Sequence, residues 1–279
     1  MSTETYDDER DRIPYYVAIA AVVLGFAIFF MASLIVQLIA HGFGASLTNP
    51  PPAVNDIDNF IFDAAFVLAA LYFTTVRGVM GRAAFGYRRI PWRVGIGAFF
   101  AGAVLYYIVT LVYSAIVHVH GTDRLPSGLG VHTSTAAAIA VAVYVCAVAP
   151  MAEEFFFRGF LFGILRRMQV NVGGRELGPW VAAAIVGILF GLAHFSSAQP
   201  EYLIPLGFLG FVLCIMRWKT GSLYPGMALH SVNNCIALGV NELAWNGGQI
   251  VALIIGSLAV IALVTGPLSR GVPSGVAPS

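Results

Sequence analysis

Apolar residues fill this chain in long blocks separated by short polar stretches, and block length supports the first inference. A helix needs roughly 20 apolar residues to cross about 30 Å of hydrocarbon. By that rule the sequence predicts about eight spans, at 15–40, 59–77, 93–118, 133–151, 179–196, 202–217, 223–240 and 249–266. The fourth does not stop at its expected end. The pattern in "PMAEEFFFRGFLFGILRRM" stays helical to about Met168, with a kink expected near Pro150. The fold class that follows is all-α, a polytopic membrane helix bundle. The chain divides into a tail at 1–14, a membrane domain at 15–266, and a Gly/Pro/Ser-rich tail at 267–279 expected to be disordered. The acidic start "MSTETYDDERDRIP" and the long apolar run behind it read as a retained first span, because a cleaved leader has a basic start and a shorter apolar run.

The positions of Lys and Arg add orientation. Loops 41–58, 197–201 and 241–248 hold none, and 119–132 holds only Arg124. The opposite side carries Arg77, Arg82, Arg88, Arg89 and Arg93, then Arg166, Arg167 and Arg175, then Arg217, Lys219 and Arg270. With Arg10 and Arg12 before the first span, the alternation predicts that both termini are cytosolic, at the plasma membrane in a bacterial cell. The basic and aromatic stretch "GRAAFGYRRIPWR" is expected in the cytosolic interface.

Composition sharpens the class. Of 279 residues, 58% are hydrophobic and 10% charged, against about 25% charged in a soluble domain. The bilayer is therefore a partner. A net charge of +1 with no basic stripe gives no footprint for nucleic acid. The three cysteines, Cys146, Cys214 and Cys235, all sit in apolar runs without a pairing pattern and read as core residues.

Against this background the polar groups inside the spans stand out, since each charged side chain in lipid costs about 2.5–3.5 kcal/mol on insertion scales. Glu153, Glu154 and Arg158 sit in the fourth span, His194 in the fifth, and "HSVNN", His230 to Asn234, in the seventh. Glu154 and Arg158 are i and i+4 and can pair, while Glu153 points about 100° away. His230 and Asn234 also share a face. Counting about 1.5 Å per residue puts Glu153 and His194 each about 22 Å from the basic ends of their helices. The same count puts His230 and Asn234 at about 10 and 16 Å, nearer the cytosol, so the cavity is expected to open to that side. Asp63 has no evident partner, and His118, His120 and His132 read as residues of a solvated outer loop.

A carboxylate and an imidazole that converge can activate a water, and a second imidazole with an amide can hold the oxyanion formed when that water attacks a carbonyl. Peptide hydrolysis fits this set. The sequence has no HExxH zinc helix, no Gly-Asp pair for an aspartyl dyad and no GxSxG elbow. A Glu–Arg pair and membrane histidines also suit a non-catalytic scaffold, an immunity-type protein or a transporter. Inverted repeats, common in transporters, are not evident.

Three motifs, "EEFFFR" (153–158), "FGLAH" (190–194) and "HSVNN" (230–234), occur in order on separate helices. Together they resemble the CAAX prenyl protease and bacteriocin-processing family, which includes the type II CAAX prenyl endopeptidases. The resemblance covers roughly 133–240. It implies an intramembrane endopeptidase acting on a peptide or protein, lipid-modified substrates being the precedent. Carried over, it implies that Glu153 and His194 activate the water, that His230 and Asn234 stabilise the oxyanion, and that Glu154 paired with Arg158 braces Glu153. Glu153, His194 and His230 would also make a His₂Glu zinc set with an open position. The offset depth of His230 favours the metal-free version.

Overall fold

The computed structural model describes residues 13–77, 81–117, 128–195 and 197–274. His118, His120 and Arg124 of the outer loop, and most of the 1–14 tail, lie outside the described residues. The fold is a helical bundle. In chain order it runs α1 (Tyr16–Gly42), α2 (Pro52–Arg77), a short α3 (Arg82–Phe85), α4 (Trp92–Val117) and α5 (Thr135–Leu165). After a two-stranded hairpin (Asn171–Val172 with Arg175–Glu176) come α6 (Gly178–Ala193), α7 (Pro200–Thr220), α8 (Tyr224–Ala237, extended by a wider turn to Glu242) and α9 (Gly247–Thr265).

All eight expected apolar segments are helical, and six of the helices are long and apolar enough to cross a membrane: α1, α2, α4, α5, α7 and α9. The other two, α6 and α8, are shorter, and they carry His194 at a helix end and His230 with Asn234. Of the two, α8 is mostly buried, while α6 keeps an exposed apolar face at Ile188 and Leu192. Exposed large apolar side chains concentrate on α1 and α4, as expected of a lipid-facing perimeter. The chain is an integral membrane protein.

Two packing features position the site. The first is the approach of α6 to α7 along glycines. A Cβ on Gly187 would fall 2.7 Å from Gly207 O, and one on Gly191 would fall 2.6 Å from Leu203 O. Small residues let membrane helices approach closely, and His194 follows this contact directly.

The second is α3. The stretch around it was expected in the cytosolic interface, yet Ala83, Ala84, Phe85 and Tyr87 are buried. Phe85 stacks on Phe155 with ring centroids 4.5 Å apart, and Arg217 Nη2 donates to Ala84 O at 3.0 Å. Leu223 N donates to Gly86 O at 2.9 Å, and Ser222 Oγ to Arg88 O at 2.8 Å. Gly86 takes φ +102°, and a Cβ there would fall 2.4 Å from Arg217 Nε, so this tuck is built for glycine. Its aromatic and small residues fill the basic end of the bundle, where a surface helix would have shown a polar face. Past α9, Gly266–Ser269 coil into a 3₁₀ turn whose Ser269 Oγ accepts from Arg89 Nε at 3.0 Å.

Candidate active site

The fourth span owes its shape to Pro150. Proline has no N–H to donate, and its ring crowds the carbonyl one turn back. The helix relieves this with a wider turn over Tyr144–Val148, in which Ala149 N–H bonds Tyr144 O, five residues back. Val145 O and Cys146 O lie four to five residues before the proline, where its missing N–H would have bonded. They are met from α8: Asn234 Nδ2 donates to Val145 O at 2.9 Å and Ser231 Oγ to Cys146 O at 2.6 Å. The expected kink is thus a pair of wide turns, the second spanning Glu154–Leu161, with Pro150 between them.

Glu154 and Arg158 pair at 2.9 Å with both side chains fully buried. Glu154 Oε1 also lies 3.1 Å from His230 Nδ1. An ionised carboxylate only accepts, so Nδ1 carries the hydrogen and Nε2 is turned to the other carboxylate, 3.8 Å from Glu153 Oε2. That oxygen has no protein hydrogen-bond partner. His230 therefore lies level with both glutamates, not a turn or two nearer the cytosol. The rise count assumed that α8 starts at the membrane edge. Instead its first residues are held on the tucked α3 segment, which lifts the helix into the bundle.

His194 sits just past the end of α6, and its Nδ1 lies 2.8 Å from Phe190 O. A carbonyl only accepts, so Nδ1 is the protonated nitrogen and Nε2 keeps its lone pair. Phe190 is the hub that sequence reading passed over as a spacing letter. Its ring lies 4.9 Å from His194 and 5.5 Å from His230, and Arg158 Cζ stands 4.2 Å above it. The periodic F-x-x-x-H spacing was the available signal, since i and i+4 share a face.

Glu153, His194, His230 and Asn234 all line one cavity of about 810 Å³. Asn55 and Asp58 of α2, Ser197 and Tyr202, and Asn241 and Glu242 line it too. These belong to the ends of the helices that meet the Lys/Arg-poor loops. The cavity therefore extends away from the basic end, opposite to the expected opening, because the buried α3 segment occupies the basic end. Asp63 is not partnerless either: Tyr144 Oη donates to its Oδ2 at 2.8 Å, and both line the cavity. His132 stays exposed, 3.7 Å from Glu242.

Glu153 Oε2 and His230 Nε2 stand 3.8 Å apart, with the Nδ1 hydrogen of His230 on Glu154, a spacing that two ligands of one ion could share. A third ligand is what zinc lacks here. Among the described residues, no three His, Cys, Asp or Glu side chains gather closely enough to hold a metal ion.

Fold and site together define a polytopic membrane protein with a buried polar centre of two carboxylates, two imidazoles and an amide. Residues 135–236, which run from the start of α5 nearly to the end of α8, match the family model described as type II CAAX prenyl endopeptidase Rce1-like. The resemblance read from the three motifs is borne out over that stretch. The uncharacterized protein YyaK of Bacillus subtilis (strain 168) is 33% identical over 105 residues, covering 34% of this chain and 31% of that relative's length. The match thus takes in about a third of the curated relative. No solved structure matches the chain.

Proposed function

We propose that this protein is an intramembrane endopeptidase of the CAAX-protease-like type, with Glu153, His194, His230 and Asn234 as its catalytic residues and no metal in the reaction. The observation that carries the proposal is the Glu153 carboxylate, which lines the cavity that both histidines share and has an oxygen without a protein partner, whereas Glu154 lies outside that cavity. Glu154 is committed to Arg158 and His230, so the two adjacent carboxylates are chemically unequal. One braces, and the other is free to react.

In this reading a water is held between Glu153 and His194 Nε2. Glu153 takes its proton as the water oxygen bonds to the scissile carbonyl carbon. The oxyanion accepts from His230 Nε2 and from the second amide hydrogen of Asn234, whose first is on Val145 O. Donation by His230 requires both of its nitrogens to be protonated. Collapse re-forms the carbonyl, breaks the C–N bond and passes the proton on Glu153 to the departing amine. The substrate is a peptide or protein segment, lipid-modified chains included.

The Lys/Arg asymmetry supports a topology with both termini in the cytosol. The cavity mouth then faces the opposite leaflet, flanked by the lipid-exposed rings of Phe30 and Phe195. The test is cleavage of a quenched peptide library by the purified protein in detergent. Glu153→Gln keeps the shape and removes the base, so it should abolish turnover while the protein stays monodisperse. Near-normal turnover by that variant would remove Glu153 from its role.

A further inference from the structure

The mechanism leaves one hydrogen-bonded pair at the cavity unused. Asp63 on α2 is 93% buried and accepts the Tyr144 hydroxyl at 2.8 Å. Tyr144 opens the wide turn of α5, nine residues before Glu153. In an unbroken α-helix that spacing puts two side chains about 180° apart, at about 100° per residue. A turn that takes in one extra residue removes about 100°, leaving the two about 80° apart. Both then face the cavity, as the lining shows. Relaxation of this turn to regular helix would swing Tyr144 and Glu153 onto opposite sides.

The turn is clamped from two directions. Asn234 and Ser231 of α8 hold its carbonyls, and Asp63 of α2 holds its first side chain. The Tyr144 side chain makes no other described hydrogen bond, so Asp63 is its fixed point on the α2 side.

We propose that Tyr144 and Asp63 are a positioning pair for Glu153: their hydrogen bond holds the wide turn that keeps the Glu153 side chain in the cavity. The catalytic part of this rests on the reading of Glu153 as the base; the positional part does not. Asn at position 63 keeps an acceptor oxygen for the tyrosine, whereas Ala does not, and Tyr144→Phe removes the donor with little change of shape.

The experiment reads position without needing a substrate. Glu153→Cys is introduced, and its labelling by a small, charged methanethiosulfonate reagent is timed in detergent, the buried native cysteines serving as background. Adding Tyr144→Phe or Asp63→Ala should slow labelling about tenfold or more, because the thiol then turns out of the cavity that the reagent enters. Adding Asp63→Asn should restore most of the rate, and combining Tyr144→Phe with Asp63→Ala should slow it no further than either alone. Unchanged labelling in Tyr144→Phe and Asp63→Ala overturns the positioning role, and so does equal slowing by Asn and Ala at position 63. In the Glu153-intact enzyme the same variants should lower kcat with little change in KM. Turnover that survives Glu153→Gln sinks the base reading and leaves the labelling result to judge the positioning on its own.

Discussion

Replacing Glu154 by Gln removes one charge from a fully buried ion pair and leaves almost every atom in place, which makes its cost calculable. Glu154 Oε1 and Arg158 Nη1 lie 2.9 Å apart at zero exposure. At an effective dielectric of about 20 their attraction is about 6 kcal/mol, and breaking buried pairs from one side costs about 3–5 kcal/mol. Some of the loss is offset. Arg158 keeps the Phe190 face 4.2 Å from Cζ, worth about 2 kcal/mol where water is excluded. The Gln oxygen can still accept from His230. The expected destabilisation is therefore near the lower bound, about 3 kcal/mol. Unfolding in mixed micelles, followed by tryptophan fluorescence, would measure it. The second arm is Glu154→Gln with Arg158→Met, which removes the stranded cation and should recover most of the stability, since no unpaired buried charge then remains. It should not recover turnover, because His230 no longer has a carboxylate on Nδ1. A loss below about 1 kcal/mol for the single variant, or a double variant no more stable than the single, would refute the bracing argument.

Three further outcomes follow from the packing and the cavity. Gly191→Ala puts a Cβ 2.6 Å from Leu203 O, so α6 and α7 must part; about 1–3 kcal/mol should be lost in the same unfolding assay, with turnover falling more than stability because His194 moves with α6. Phe190→Ala should cost about 3–5 kcal/mol and release both histidines from one wall, visible as a lower kcat in whatever protein remains folded. Cysteines placed at Asn55 and Glu242 should be labelled by impermeant reagents from the outside of sealed cells, and cysteines at Arg175 and Lys219 only after the membrane is opened. The reverse pattern would invert the topology, and with it the side from which the cavity is reached.

Helix class and the placing of the apolar segments were legible because they depend on block length, and block length is local; that only six of the eight are long enough to span was not. The grouping of Glu153, Glu154, Arg158, His194, His230 and Asn234 was legible because polar groups in lipid need a reason to be there. Their relative depths were not. Counting residues from a span's edge assumes that the edge lies at the membrane surface, and α8 breaks that assumption by starting on a tucked segment. Nothing local marks that segment as buried. "RAAFGY" carries an arginine and a glycine among small and aromatic residues, a composition shared by interfacial stretches and by the interior of a bundle. Its burial comes from a tertiary match, Phe85 on Phe155 and Gly86 against Arg217.

The same blindness reversed the expected opening of the cavity, because one segment both lifts His230 and fills the basic end. It also hid the second duty of Asn234. From sequence, the asparagine is a hydrogen-bond donor at an i+4 position from a histidine. Only the wide turn beside Pro150 leaves a carbonyl for it, and that donation fixes the amide plane before any substrate arrives. A proline one turn before the carboxylates thus organises the site without touching it. It leaves the carbonyls that Asn234 and Ser231 meet, and the turn that relieves it brings Tyr144 round to Asp63.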